Sequence, residues 1–257
     1  MPFETTGFIH LTKQPLVSKK NRGNIFYLFR FLRLTFHLHL PRIMAKGEEK
    51  YWRENTVPAI TELFMKNGIK SMTMDDIARE LSVSKKTLYK FVDNKQDLVK
   101  QCAIHRECQH IDHVEAIMSK NLNAIDEMYA ITDFVINMLL EIHPSIFYDL
   151  EKYYPEAFKS FNEFKSEFIS KCIVENINKG IEEELYRKDA NPQLIGYFYS
   201  NLIDAVLQSQ NSKGCNEAIP RVQVEAFRYH MRGIASEKGF QYLKKIKKQL
   251  LPENNDK

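Results

Sequence analysis

Residues 73–98, TMDDIARELSVSKKTLYKFVDNKQDL, constrain this chain more than any other stretch, because they describe two short helices around a tight turn and then the capped start of a third. Thr73 and Asp76 have the spacing of a capping box, and Ile77, Ala78 and Leu81 follow as an apolar stripe at helical period. Ser82 and Val83 form the turn. Ser84 is a good N-cap, and the pattern predicts a second helix over Lys85 to Phe91 with Leu88 and Phe91 inward. Ala78 is small enough to let two short helices cross closely. A helix-turn-helix of this kind is built to lay its second helix in a DNA major groove.

Lys85, Lys86, Thr87, Tyr89 and Lys90 are left facing outward. They supply cations for phosphates and guanine edges, a threonine for a phosphate or a thymine methyl, and a phenol for a phosphate oxygen. Five lysines lie between Ser84 and Lys100 against Asp93 and Asp97, so the face is locally basic. The plain alternative is a solvated lysine-rich helix, which would not need the capping and packing pattern around it.

The stretch AITELFMKNGIKSMTMDDIARELSVSKKTLYKFVDNKQDLV resembles the DNA-binding domain of the TetR family of bacterial transcription regulators, over roughly residues 50 to 100. The order is the same: first helix, glycine stop, threonine cap, IA pair, VS turn, TLY recognition helix and a capped lysine. The resemblance implies that Thr73, Ser84, Lys86, Thr87, Tyr89 and Lys95 lie at phosphate or base contacts, with Lys85 and Lys90 the more variable positions facing the groove. Two residues depart from the pattern: Ser82 stands where glycine is usual, and Val92 where an aromatic is usual. Ser82 then needs a left-handed backbone, at roughly 1 kcal/mol relative to glycine. Pro58 falls inside the first helix, expected over Tyr51 to Lys66, and predicts a kink or a fresh start. Gly68 after Asn67 is the expected left-handed stop.

At 257 residues and 44% hydrophobic content the chain can bury a substantial core, enough for one small and one larger domain. Cys102, Cys108, Cys172 and Cys215 lack the density of a secreted disulfide framework, so reduced thiols and a cytoplasmic setting are expected. The net charge of +4 is concentrated at one end: residues 1–43 carry seven Lys and Arg against Glu4 alone, which leaves the remainder slightly acidic with a local basic patch. Within that leader, IFYLFRFLRLTFHLHL is interrupted by Arg30 and Arg33. Each arginine near mid-bilayer would cost roughly 2.5 to 3.5 kcal/mol, so no membrane span is expected. A peripheral amphipathic anchor is the alternative. The plainer reading takes Met44 as the true start and residues 1–43 as upstream sequence without function.

From Asn94 onward the pattern is helical with short breaks. Asn94 and Asp97 cap a connector to about His113. Asn123 to Ile142, Ser145 to Tyr153, Pro155 to about Glu183, Pro192 to Gln210, Pro220 to Ala235 and Lys238 to Leu251 follow. The fold class is therefore all-α: a helix-turn-helix domain over 44–95, a larger helical domain over 96–251 and a tail over 252–257. GIEEELYRKDANPQLIGYFYSNLIDAVL and YHMRGIASEKG also resemble, more weakly, the final helices of TetR-type regulators. In that family the last two long helices pair with their copies, which implies a homodimer. Leu194, Phe198, Leu202, Ala205 and Val206, with Val224, Phe227, Met231 and Ile234, are apolar enough to supply that surface or an ordinary core. A two-fold pair would read a palindromic double-stranded operator through major grooves roughly 34 to 36 Å apart.

Phe134, Phe147, Tyr148, Tyr154, Phe158, Phe161 and Tyr197 are candidate walls of a pocket for a small-molecule effector, although an aromatic stripe is more often core than cavity. Cys102, His105, Cys108, His110 and His113 crowd one helix. Cys102 and Cys108 point to different sides of it, so no metal site is expected. Glycine is too sparse for a phosphate-cradling loop, and no nucleophile–base arrangement stands out, so neither a cofactor nor an enzyme is expected. Two classes remain: a ligand-responsive DNA-binding regulator, by analogy a repressor, and a helical interaction protein that binds another protein or, through residues 25–40, a membrane surface.

Overall fold

The computed structural model describes residues 46–209 and 215–250. The leader with its proposed start at Met44, and the tail over 252–257, lie outside the described residues. Helices make up the described fold, joined by short loops and one isolated antiparallel bridge between Tyr186 and Ala235. No single helix among the described residues is long and apolar enough to cross a membrane.

The first helix begins earlier than its apolar pattern suggests. Helix α1 (Lys46–Tyr51) passes through a wide turn at Trp52–Thr56 into α2 (Val57–Asn67). Pro58 sits in the first turn of α2, where its missing N–H costs little, so the fresh start takes the form of a π turn just upstream. Trp52 is 2% exposed and stacks on Phe91, with ring centroids 4.4 Å apart and planes 2° from parallel. Its indole N–H donates to Gln101 Oε1 at 2.9 Å. Gly68 ends α2 at φ 81° and ψ 151°, a positive-φ stop that is extended in ψ rather than left-handed helical. A Cβ there would sit 2.9 Å from Ser145 Oγ.

Helices α3 (Met74–Glu80) and α4 (Lys85–Leu88) form the helix-turn-helix. Helix α4 is shorter than expected. After Leu88 the coil continues as tighter hydrogen-bonded turns, with the Lys90 N–H donating to the Thr87 carbonyl at 3.2 Å and the Phe91 N–H to the Leu88 carbonyl at 2.9 Å, and Phe91 stacks on Trp52. The connector α5 (Lys95–Met118) is longer than expected, running a full turn past His113. Then come α6 (Ala124–Glu141), α7 (Ile146–Tyr153) and α8 (Pro155–Phe164), which passes through a second π turn at Lys165–Ile169 into α9 (Ser170–Glu182). Helices α10 (Pro192–Leu207), α11 (Ile219–Ile234) and α12 (Glu237–Leu250) complete the order.

One apolar cluster fills the N-terminal module and extends into the larger domain. Ile60, Phe64, Ile77, Leu88, Val92, Leu98 and Cys102 pack with Ile146, Leu150, Tyr154 and Ala157. A second joins α6, α9 and α11 through Ile125, Met128, Ile177, Tyr186, Phe227 and Met231. Its polar centre is Asn176, whose amide donates to the Ala124 carbonyl at 2.9 Å and to Glu127 Oε1 at 2.8 Å, while its Oδ1 accepts from the Tyr186 hydroxyl at 3.0 Å. Lys179 completes the set by pairing with Glu127 at 2.6 Å. Gly180 is required beneath Tyr186, because a Cβ there would fall 2.0 Å from the ring.

Candidate nucleic-acid interface and internal cavity

The helix-turn-helix is held by its own polar groups. Thr73 Oγ1 accepts from the Asp76 N–H at 3.1 Å, and the Thr73 N–H donates back to Asp76 Oδ2 at 2.9 Å, so the capping box is closed. The Thr73 hydroxyl and then its backbone N–H hold the Asp76 carboxyl down at about 2, with Arg79 adding to the effect. Ser82 adopts φ 54°, the left-handed turn expected of it. Ser84 caps α4 by accepting from the Thr87 N–H at 3.0 Å, and its hydroxyl meets Thr87 Oγ1 at 2.8 Å. Lys85 bridges to Asp75 at 2.8 Å, which ties the start of α4 to the first turn of α3.

Thr73, Ser84, Lys85, Lys86, Tyr89 and Lys90 are exposed, while Thr87 is half-buried. They cluster around the first turn of α4 and the cap of α3, with Leu88 fully buried behind them and Ala78 6% exposed. The exposed part of this unit thus carries hydroxyls, a phenol and ammonium groups, donors of the kind that duplex phosphates and base edges accept. Lys95 is placed differently from the rest. Its ammonium is half-buried, donates to the Ile69 carbonyl at 2.6 Å and lies 5.6 Å from the Tyr154 ring centroid. Burial lowers its pKa.

Helix α7 clasps this module from the larger domain. Asp149 is 4% exposed and accepts from the Lys70 N–H and the Ser145 hydroxyl, both at 3.0 Å. Lys70 Nζ donates to the Tyr153 hydroxyl at 2.9 Å, and the His143 N–H donates to the Met65 carbonyl at 2.6 Å.

Behind the clasp lies a cavity of about 190 Å³. Phe134, Phe147 and Phe161 line it, as do Phe164 and Phe168, which the aromatic pattern did not single out. The other candidates are elsewhere. Tyr148 and Tyr197 are 38% and 63% exposed, Tyr154 belongs to the helix-turn-helix core, and Phe158 packs against that core. The polar end of the cavity comes from α5, through Arg106, Glu107 and His110. The sequence signal for them is the run Ala103, Arg106, Glu107, His110 and Val114, one helical face, which the cysteines and histidines alongside had masked. Burial pushes the Glu107 carboxyl up to about 7, even though the Ser160 hydroxyl donates to it at 3.0 Å. Burial, then the Arg106 charge, brings His110 down to about 4, so its ring is neutral at ordinary pH. Among the described residues no cluster of His, Cys, Asp and Glu could hold a metal ion.

The last two long helices divide differently from expectation. Val206, Phe227, Met231 and Ile234 are 4% exposed or less and belong to the chain's own core, because those faces of α10 and α11 pack inward. What α10 leaves outside is Leu194, Tyr197, Phe198, Asn201 and Ala205, one continuous face at helical spacing. Tyr229 on α11 is 78% exposed.

Residues 58–102 match the family model described as bacterial regulatory proteins, tetR family. Among solved structures, a transcriptional regulator from Cytophaga hutchinsonii superposes with a TM-score of 0.59 at 18% identity, covering 72% of this chain and all of that one. A TetR-family regulator from Pectobacterium atrosepticum gives 0.59 at 16% identity over 76% of this chain and 99% of its own. A protein from Saccharomonospora viridis, described as a transcriptional regulator in complex with choline, gives 0.57 at 16% identity over 73% and 100%. At these identities the likeness is one of fold. Among curated proteins none matches the chain.

Proposed function

We propose that this chain, which carries a tetR-type helix-turn-helix on an all-α body, is a homodimeric transcription regulator that binds a palindromic operator and releases it when a small molecule enters the cavity. The observation that carries the reading is the exposed donor face of α4, with Lys86 and Tyr89 braced by the buried Leu88 and by the Lys85–Asp75 bridge. Thr73, Ser84, Lys85, Lys86, Thr87, Tyr89 and Lys90 make the phosphate and base contacts. Lys95 acts chiefly by anchoring the start of α5 to the carbonyl of Ile69. The second protomer docks on the exposed face of α10 and on Tyr229, setting the two α4 helices one DNA turn apart, roughly 34 to 36 Å. Such a protein works in the cytoplasm, beside DNA, as a repressor and not as an enzyme.

Coupling follows from shared parts. Helix α5 starts immediately after the DNA-reading unit and supplies the polar end of the cavity, while α7 supplies both the clasp and the cavity residues Ile146, Phe147 and Leu150. Met65, on α2, reaches the cavity directly. A ligand that fits only one position of α5 and α7 therefore shifts the equilibrium between operator-binding and released states, by its difference in affinity for the two.

Selection of bound fragments from the source genome, followed by footprinting, tests this. A protected two-fold sequence of paired half-sites one helical turn apart is expected. Failure to enrich any fragment would favour a helical interaction protein that keeps the fold but binds another protein.

A further inference from the structure

The cavity's lining is apolar almost throughout, and two of the polar atoms that α5 brings to it have no partner. Arg106 and His110 stand one turn apart on α5, and Arg106 Nε and His110 Nε2 are both buried without a hydrogen-bond partner. Arg106 spends an Nη1 proton on Gln109 at 3.1 Å, outside the cavity lining. Glu107 is already supplied by Ser160. A buried polar group left without a hydrogen bond costs roughly 1 to 3 kcal/mol, so a ligand oxygen that reached both nitrogens would relieve that cost. Phe134 and Phe164 flank the His110 ring with centroids 5.6 and 6.1 Å away, which presents its edge between aromatic walls.

We infer that the ligand of this cavity is a compact aromatic or alicyclic carboxylic acid, its carboxylate on Arg106 Nε and His110 Nε2 and its ring among Phe134, Phe161 and Phe164. The inference rests on the regulator reading above and names its effector class. Size agrees: a cavity of about 150 Å³ holds benzene, and this one, at about 190 Å³, has room for a ring with a short acidic arm.

Charge favours the acid over an amine. A guanidinium carries a positive charge, and an ammonium beside that of Arg106 would leave two positive charges with one carboxylate in an apolar enclosure. An incoming carboxylate pairs with Arg106 and favours the protonated, neutral form of Glu107, so the fraction of Glu107 still ionised takes up a proton. The groups around Glu107 are Arg106 and His110 on its own helix, Ser160 and Glu163 on α8, and, elsewhere in the lining, Thr132, Cys172, Tyr199 and Gln223. Burial holds the Cys172 thiol and the Tyr199 phenol up at about 12, so neither titrates near neutrality. Glu107 and His110 are then the proton acceptors, and both gain protons beside a new anion.

The test is calorimetric titration of the full chain with phenylacetate, 2-phenylethanol and phenethylamine, each in two buffers of different ionisation enthalpy. Phenylacetate is expected to bind with net proton uptake, to weaken as pH rises from about 6 to about 8, and to exceed phenethylamine by roughly ten-fold or more. Arg106→Leu and His110→Phe, the second of which keeps a ring against Phe134, should each lower phenylacetate affinity by about ten-fold while circular dichroism shows the fold intact. Tighter amine binding with proton release, unchanged phenylacetate affinity in both variants, or no binding by any of the three would each overturn the inference. Operator binding measured on the same samples separates the two levels: a chain that grips its operator but ignores phenylacetate remains a regulator with a different effector, and one that grips no operator fails the wider reading.

Discussion

Glu107 sits in an environment that its neighbours in sequence do not suggest. It reads as one more charge on a polar helix, yet it faces an apolar cavity and its carboxyl is held up at about 7 against an ordinary 4.5. The consequence for stability has a definite sign. Between those values the unfolded chain has already lost the proton that the folded chain keeps, so stability falls as pH rises from about 4.5 to about 7 and is level beyond. Glu107→Gln should therefore match the wild type near pH 4.5 and exceed it by roughly 1 to 3 kcal/mol at pH 8, read from urea midpoints at both. Equal midpoints at pH 8 would count against a buried carboxyl there. Asp76 runs the other way. Its depressed carboxyl caps α3 above its ordinary 3.8 and loses that role as pH falls towards about 2.

At the scale of the element, local chemistry was legible and length was not. The capping box at Thr73, the cap at Ser84, the left-handed Ser82 and the cap at Asn94 all stand where the sequence puts them, because each depends on residues three or four apart. The end of α4 was not legible. Leu88 to Phe91 keeps a helical pattern, but beyond Leu88 the Lys90 and Phe91 N–H groups reach carbonyls three residues back rather than four, and Phe91 stacks on Trp52, 39 residues upstream. The two π turns follow the same logic, letting helices change face without a break. Tyr186 with Gly180 is a tertiary fit that no periodicity records. Gly180→Ala should lower the thermal midpoint markedly despite the better helix propensity of alanine, by about 2 kcal/mol or more of overpacking. A rise in midpoint would mean that the ring has room to move.

For the whole molecule, the apolar stripes of α10 and α11 carry an ambiguity that sequence alone leaves open, since a core face and an interface face have the same spacing. Phe227 and Met231 turned out to face the chain's own interior, and Leu194, Tyr197 and Phe198 face out. That exposed apolar face is the one the proposed second protomer would cover. Changing Tyr197 and Phe198 together to glutamate should leave the helical content unchanged and halve the mass seen in sedimentation; a mass equal to that of the wild type would move the protomer contact elsewhere. The candidate pocket was legible as a region, through Phe134, Phe147 and Phe161, but its polar end was not, because Arg106 and His110 look like solvated residues until α6 and α8 are folded over them.

All of this turns on whether α4 reads DNA. The most direct measurement is the salt dependence of binding of wild type, Lys86→Ala and Tyr89→Ala to a fragment enriched from the genome. The wild type should bind with an affinity that falls steeply with salt. Lys86→Ala should bind more weakly with a slope shallower by about one counterion, and Tyr89→Ala should lose affinity by roughly 1 kcal/mol or more. Wild-type affinity and slope retained in both variants would show that DNA, if bound at all, is held by another surface.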